Sequence, residues 1–376
     1  MRATLSTVLA LMGLATAGGS ASAQAPGDAP TRLVVDVAAI SQSYTTGDDQ
    51  GVAEVSVPLA VSAALTPNLG LSARTAYASV TGDGLETLSG LADTQLGASW
   101  EQPVGGGIVD LSVSLNVPTG QTALTEEQFT TSATLALDDY AFAVPTLGRG
   151  LVLSPALAVA VPLGDALAVG VGAAYASASS FTLFESDTSA YTPAAETILT
   201  AGFDASLGGA SSFTLEGSYV TYGEDRYRGT AFRPGDKLAA SLRLALGSGT
   251  VRSHLFARYR QVGESDVGPR GPVGYLRPTQ AQVALGIDVV RPGAEVGLVS
   301  GLRYYGTLSE ATSASEFATA LADQQVLLDL GLAPTVRVGP SAALRGSVTY
   351  TLGVAESAGA PALTGLRIGG GVSFGL

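Results

Sequence analysis

From Arg32 onward, apolar and polar residues alternate along the chain, the pattern of strands whose two faces meet different surroundings. In 107–117, Val109, Leu111, Val113, Leu115 and Val117 share one face, and Asp110, Ser112, Ser114 and Asn116 the other. In 237–246, Leu238, Ala240, Leu242, Leu244 and Leu246 oppose Lys237, Ala239, Ser241, Arg243 and Ala245. Segment 250–261 sets Val251, Leu255, Ala257 and Tyr259 against Arg252, His254, Arg258 and Arg260, and 341–353 sets Leu344, Val348, Tyr350 and Leu352 against Arg345, Ser347, Thr349 and Thr351. These runs of 10–13 residues are about twice an ordinary strand and match a tilted strand crossing a bilayer.

The connections alternate in kind. Short turns such as Gly247-Ser248-Gly249 and Arg291-Pro292-Gly293 exchange with long polar loops at 44–50, 80–92, 118–150, 179–194, 223–236, 263–278, 307–323 and 355–362. The strands predicted between them are 32–43, 51–65, 69–79, 93–102, 107–117, 151–162, 166–178, 195–207, 211–222, 237–247, 250–262, 279–290, 294–306, 324–338, 341–353 and 363–376. The fold class is therefore all-β: a closed antiparallel transmembrane barrel of about sixteen strands, with short periplasmic turns, long extracellular loops and both ends on the short-turn side. Fourteen or twelve strands stay open; separately, 32–43 also suits part of a plug and 128–137 a further strand. Pro58, Pro155 and Pro334 fall inside strands, where each removes a ladder donor, so bulges or shifted boundaries are expected there.

Tyr77, Tyr175, Tyr219, Tyr259, Tyr304 and Tyr350 sharpen the picture. All lie on the apolar parity near the end of a strand that enters a long loop, and from Tyr175 they recur at spacings of 44, 40, 45 and 46 residues. An aromatic girdle at the hydrocarbon boundary requires that placement. Trp100 and Phe374 suit a second girdle at the opposite end. A propeller shares the period but needs four short strands per repeat where this chain has two long ones.

Composition explains what the pattern leaves open. Mean hydropathy is +0.32, yet the apolar residues are spread singly and form no convincing membrane helix. Met1-Arg2, the apolar stretch Leu5–Ala17 and Ala21-Ser22-Ala23 read as a signal peptide over 1–23 cleaved after Ala23, followed by a linker at 24–31 and one barrel domain over 32–376. Export of such a chain implies a bacterial envelope, and a barrel implies its outer membrane. The absence of cysteine excludes disulfides and thiolate metal sites, and one histidine, His254, excludes a multi-histidine centre. A net charge of −13 with a single lysine argues against nucleic acid as a partner. No cofactor, metal site or catalytic triad is expected: Ser253 beside His254 points to the other face.

The stretch 89–120 resembles the strand-turn-strand of MetA-type transporters of phenol-degradation pathways, which pair a Gly-Leu-x-Asp strand start with a Pro-Thr-Gly exit. Here those residues are Gly90, Leu91, Asp93 and Pro118, Thr119, Gly120. Sixteen strands with the longest loop after the fifth resemble general porins, which implies a loop folded into the lumen and a homotrimer. The C-terminus departs from the usual terminal aromatic: Phe374 stands two positions inward, on the same face, for the barrel-assembly machinery to read.

If the leucine face meets lipid, then Lys237, Arg243, Arg252, His254, Arg258, Arg260, Arg303, Arg345 and Arg367 line the pore. Five of them form a basic strip on two consecutive strands. Loop 118–150 with Glu126, Glu127, Asp138 and Asp139 is the candidate constriction, its acids facing the strip to create a transverse field. Inward charges that merely hydrate the lumen, paired with Glu216, Asp288 and Glu295, are the plainer alternative. The expected function is a pore or transporter for small solutes, and the alternative is a non-conducting barrel or adhesin binding a partner through its acidic loops. Outer-membrane lipid and lipopolysaccharide are the expected surroundings.

Overall fold

The computed structural model describes residues 33–46, 51–136, 141–265, 277–308, 325–355 and 363–376. The proposed signal peptide and linker, residues 1–31, and Arg32 lie outside them. In chain order the elements are β1 (Leu33–Thr45), β2 (Gly51–Thr66), β3 (Leu69–Gly82), β4 (Leu85–Leu91), β5 (Thr94–Val104), β6 (Gly107–Val117), α1 (Glu126–Leu135), β7 (Val152–Pro162) and β8 (Leu167–Ala178). There follow β9 (Phe181–Thr182), β10 (Ala190–Tyr191), β11 (Glu196–Gly208), β12 (Ser211–Tyr222), β13 (Asp225–Tyr227), β14 (Thr230–Phe232), β15 (Lys237–Ser248) and β16 (Val251–Val262). The chain ends with β17 (Arg277–Arg291), β18 (Ala294–Leu308), β19 (Gln325–Arg337), β20 (Ala342–Ala355) and β21 (Leu363–Gly375).

Long strands pair antiparallel with their sequence neighbours, and β1 pairs with both β2 and β21, closing a barrel. Strands β4 and β5 both pair with β3 and act as one barrel strand broken at Ala92–Asp93, so the circumference holds sixteen. Of the stretch 32–43, residues 33–43 are therefore wall and not plug. Within segment 128–137, residues 128–135 are not strand either, for α1 occupies them, and residue 137 lies outside the described residues. Its start is set by a capping box, in which Thr125 Oγ1 accepts from the Gln128 amide and the Gln128 side chain accepts from the Thr125 amide. Of the loop predicted at 80–92, the end of β3 and all of β4 are strand.

The short turns follow from local chemistry. In Arg291-Pro292-Gly293-Ala294 the proline presets the first turn angle, and Gly293 has φ +80°, a value that L side chains rarely adopt. The three strand prolines introduce no register shift. Beside Pro58 the β1–β2 register passes from Val37↔Leu59 to Ile40↔Ser56 with a gap but no shift, while pairing with β3 runs on through Pro58↔Ala76. Pro155 and Pro334 behave alike, paired without interruption to β6 and β18 and gapped toward β8 and β20. A strand residue directs its N–H to one neighbour only, so each proline costs one ladder instead of both.

The two faces separate as the alternation requires. Val55, Val57 and Leu59 of β2, Leu111 and Val113 of β6, and Leu328, Leu330 and Leu332 of β19 are exposed on the outer face. On the inner face Gln42, Glu54, Ser56, Ala78, Val80 and Leu327 are buried, because part of the chain lies against them.

Candidate functional site in the barrel lumen

The covering segment belongs to the long loop between β6 and β7. The Gln42 amide donates to the Ala141 carbonyl (3.1 Å) and its oxygen accepts from the Ala143 amide (2.7 Å). Both Glu54 oxygens accept from the Val144 amide at 3.3 and 3.2 Å. Phe142 packs edge-on against Tyr44 with centroids 5.3 Å apart. Leu88, Leu135, Val144 and Leu147 complete an apolar cluster on this inner wall.

The loop is tied at its root by one residue. Asp93, at the break between β4 and β5, accepts from the Gly120 amide (3.0 Å), the Arg149 amide (2.6 Å) and the Asn116 side chain (2.6 Å). The Asp93 amide donates to the Leu147 carbonyl. Thr119 Oγ1 lies 2.9 Å from both the Ala92 carbonyl and Thr94 Oγ1. The two halves of the Gly-Leu-x-Asp and Pro-Thr-Gly pattern thus meet in space, where the aspartate gathers both ends of the loop.

Two of the four acids proposed for the constriction lie on a helix and not on the segment against the inner wall. Glu126 and Glu127 occupy the exposed first turn of α1, a helix that packs on β4 at the long-loop end. Glu126 there exerts its charge on Arg228. Asp138 and Asp139 lie outside the described residues. The stretch against the inner wall, 141–148, carries no charge.

The proposed pore-lining residues all fall on the inner parity but differ in environment. Arg303 is only 5% exposed. It is bound to Asp329 by Nε (2.7 Å) and a terminal nitrogen (3.0 Å), and Asp329 also accepts from Thr351 (2.7 Å). Arg345 pairs with Asp36 at 3.4 Å. His254 lies 3.4 Å from Asp288. Its ring covers Gly286, where a Cβ would come within 1.9 Å of Nε2. Lys237 stands over the Tyr222 ring (5.1 Å), and Arg260 is half-buried. Arg243, Arg252 and Arg258 are exposed on the lumen face of β15 and β16. Arg367, also on that face, neighbours Tyr44 electrostatically.

Sequence alternation did not single out Gln42, Glu54 or Phe256, since isolated inward positions on a strand give no sign of what will pack on them. Asp93 was marked only as part of a pattern.

Of the girdle tyrosines, Tyr77, Tyr175, Tyr219, Tyr259 and Tyr350 are 40–50% exposed on the outer face and Tyr304 is half-buried. At the long-loop end, loops 179–195 and 223–236 are knitted together. Asp187 accepts from the Tyr227 hydroxyl (2.5 Å), the Ser189 amide (2.9 Å) and Arg228 Nε (3.3 Å). Those bonds, the Tyr227 bond foremost, hold its carboxyl at about 2, below the ordinary 3.8. Asp225 likewise accepts from the Tyr191 hydroxyl (2.8 Å) and the Ala194 amide.

No known family model matches the chain, and no curated protein does. Among solved structures it is similar to OprB of Pseudomonas putida, with a TM-score of 0.50 and 12% identity over 92% of this chain and 94% of that one. It is also similar to a bacterial polysaccharide outer-membrane secretin (0.47, 9%, 93% and 100%) and to the anion-selective porin of Comamonas acidovorans (0.43, 11%, 91% and 98%). The chain has the closed sixteen-stranded barrel fold of an outer-membrane porin.

Proposed function

We propose that the protein is an outer-membrane pore passing small solutes by diffusion or facilitated diffusion, with charge selectivity set by its basic strip. The observation that carries this reading is the exposure of Arg243, Arg252 and Arg258 on the inner face, on strands half a circumference from the wall covered by the long loop. Counting β4 and β5 as one, β15 and β16 are the tenth and eleventh barrel strands, and the covered β2 and β3 are the second and third. The loop displaces the open passage toward the arginines. Three solvated guanidiniums beside a narrowed passage raise the local anion concentration.

In planar bilayers the protein is expected to give discrete conductance steps. Reversing Arg243, Arg252 and Arg258 to glutamate shifts the reversal potential in a salt gradient toward cations without loss of the folded barrel on unheated gels. Absence of conductance by a folded barrel sinks the pore, and unchanged selectivity removes these residues from the path. The same reading includes export by a signal peptide cleaved after Ala23, lipopolysaccharide around the long-loop end, a homotrimer, and recognition of β21 by the assembly machinery through the outward Phe374.

A further inference from the structure

Phe256 is anomalous. It occupies an inward position of β16, on a face that a water-filled barrel lines with polar side chains. Its register partners are Arg243 on β15 and Ala284 on β17. The diagonal neighbours on that face are Ser241, Ala245, Gln282 and Gly286, of which only Gln282 is long. The ring is therefore half-buried, with little to pack on. The contact that it does make is with a cation: Arg243 Cζ lies 5.6 Å from the ring centroid. Arg243 itself makes no ion pair among the described residues. Arg258, two positions along β16, projects exposed from the same face.

We propose that Arg243, Phe256 and Arg258 form a binding site for small carboxylates with a flat, unsaturated body, such as aromatic acids. The ring of the solute stacks on Phe256, an apolar platform that lumen water covers poorly, and its carboxylate takes charge-assisted hydrogen bonds from Arg243. Arg258 adds charge at the same height. Glu216, whose β12 position lies beside Ser241 and next to that of Arg243, disfavours a second negative group on that side. His254, the other neighbour along β16, faces Asp288. The site therefore discriminates on two features at once, a negative head and a flat body, where a basic strip alone selects only the first. This inference rests on the pore reading.

The test is the permeability of the full-length protein in planar bilayers, from reversal potentials in gradients of potassium chloride, acetate and benzoate, with benzylammonium chloride as the charge-reversed probe. The ratio of benzoate to acetate permeability should exceed their ratio of diffusion in water. Phe256→Leu should lower it about two- to twelvefold, the factor that one stacking contact supplies, and Phe256→Tyr should keep it. Arg243→Gln should lower benzoate and acetate together relative to potassium. A wild-type ratio no greater than that of free diffusion overturns the site, as does a ratio that Phe256→Leu leaves unchanged or an equal preference for benzylammonium. In each of these cases a conducting protein leaves the pore reading standing. Silence in potassium chloride removes both.

Discussion

An inward arginine on a barrel strand has two physical fates, and this lumen holds both. Arg243, Arg252 and Arg258 stay exposed to the lumen. Arg303 is taken out of water and must be compensated in place, which Asp329 does with two parallel bonds while Thr351 satisfies a further lone pair. Arg303→Met should therefore destabilise the barrel by about 1–3 kcal/mol, because it leaves the half-buried Asp329 carboxylate with Thr351 as its remaining partner. Replacing Asp329 with leucine in the same chain should recover most of that loss. Urea unfolding in lipid vesicles reads both variants, and a neutral Arg303→Met would show that the pair is wet. Alternation placed every one of these arginines on the inner face. It carried no information on burial, because burial depends on which neighbours reach across three strands and on where the long loop lies.

At the scale of elements, the long strands were legible and the pieces between them were not. Period two marks a strand with lipid on one side, whereas β4 is short, preceded by Gly84 and interrupted by Gly90, and reads as loop. Helix α1 carries Thr130, Thr131 and Thr134 in its body, and is supported by its capping box and by its packing on β4. The long loop depends on Asp93, three of whose bonds draw both its ends to one strand break. Asp93→Ala should cost about 1–3 kcal/mol for each amide left without a partner, felt locally as faster protease cleavage within 118–150 and a noisier open-channel current. A loop equally resistant in the variant would show that Gln42 and Glu54 suffice.

The joined outer loops give a pH dependence with a definite sign. Asp187 has a lower pKa folded than unfolded, so its contribution is complete above the ordinary carboxyl value of 3.8 and fades as pH falls from there through about 2. Hydrogen exchange in β13 and β14 should therefore accelerate, relative to the intrinsic rate, between pH 4 and about pH 2. Asp187→Asn should show that faster exchange already at pH 5. Exchange that is flat across this window in the native chain would place the hold elsewhere, on Asp225.

For the whole molecule, the class of architecture and the number of strands followed from alternation and from the exchange of short and long connections. A period-two chain of this length has few other ways to shelter its leucines from water. The side on which the passage lies did not follow, because that is decided by contacts such as Gln42 to Ala141 that join distant parts of the chain. The closure of the barrel has a consequence in time. Every other barrel strand pairs with the strand next to it in sequence, so hairpins can be added one after another as the chain arrives. The seam alone joins the two extremes, with Val34 opposite Gly375 and Leu33 and Leu376 exchanging backbone hydrogen bonds. It cannot form until the last strand exists, and the entropy of bringing together ends so far apart falls on that single step. Until then β1 and the newest strand both expose a full row of unpaired donors and acceptors, which makes the growing barrel an open sheet in need of a temporary partner for its edges.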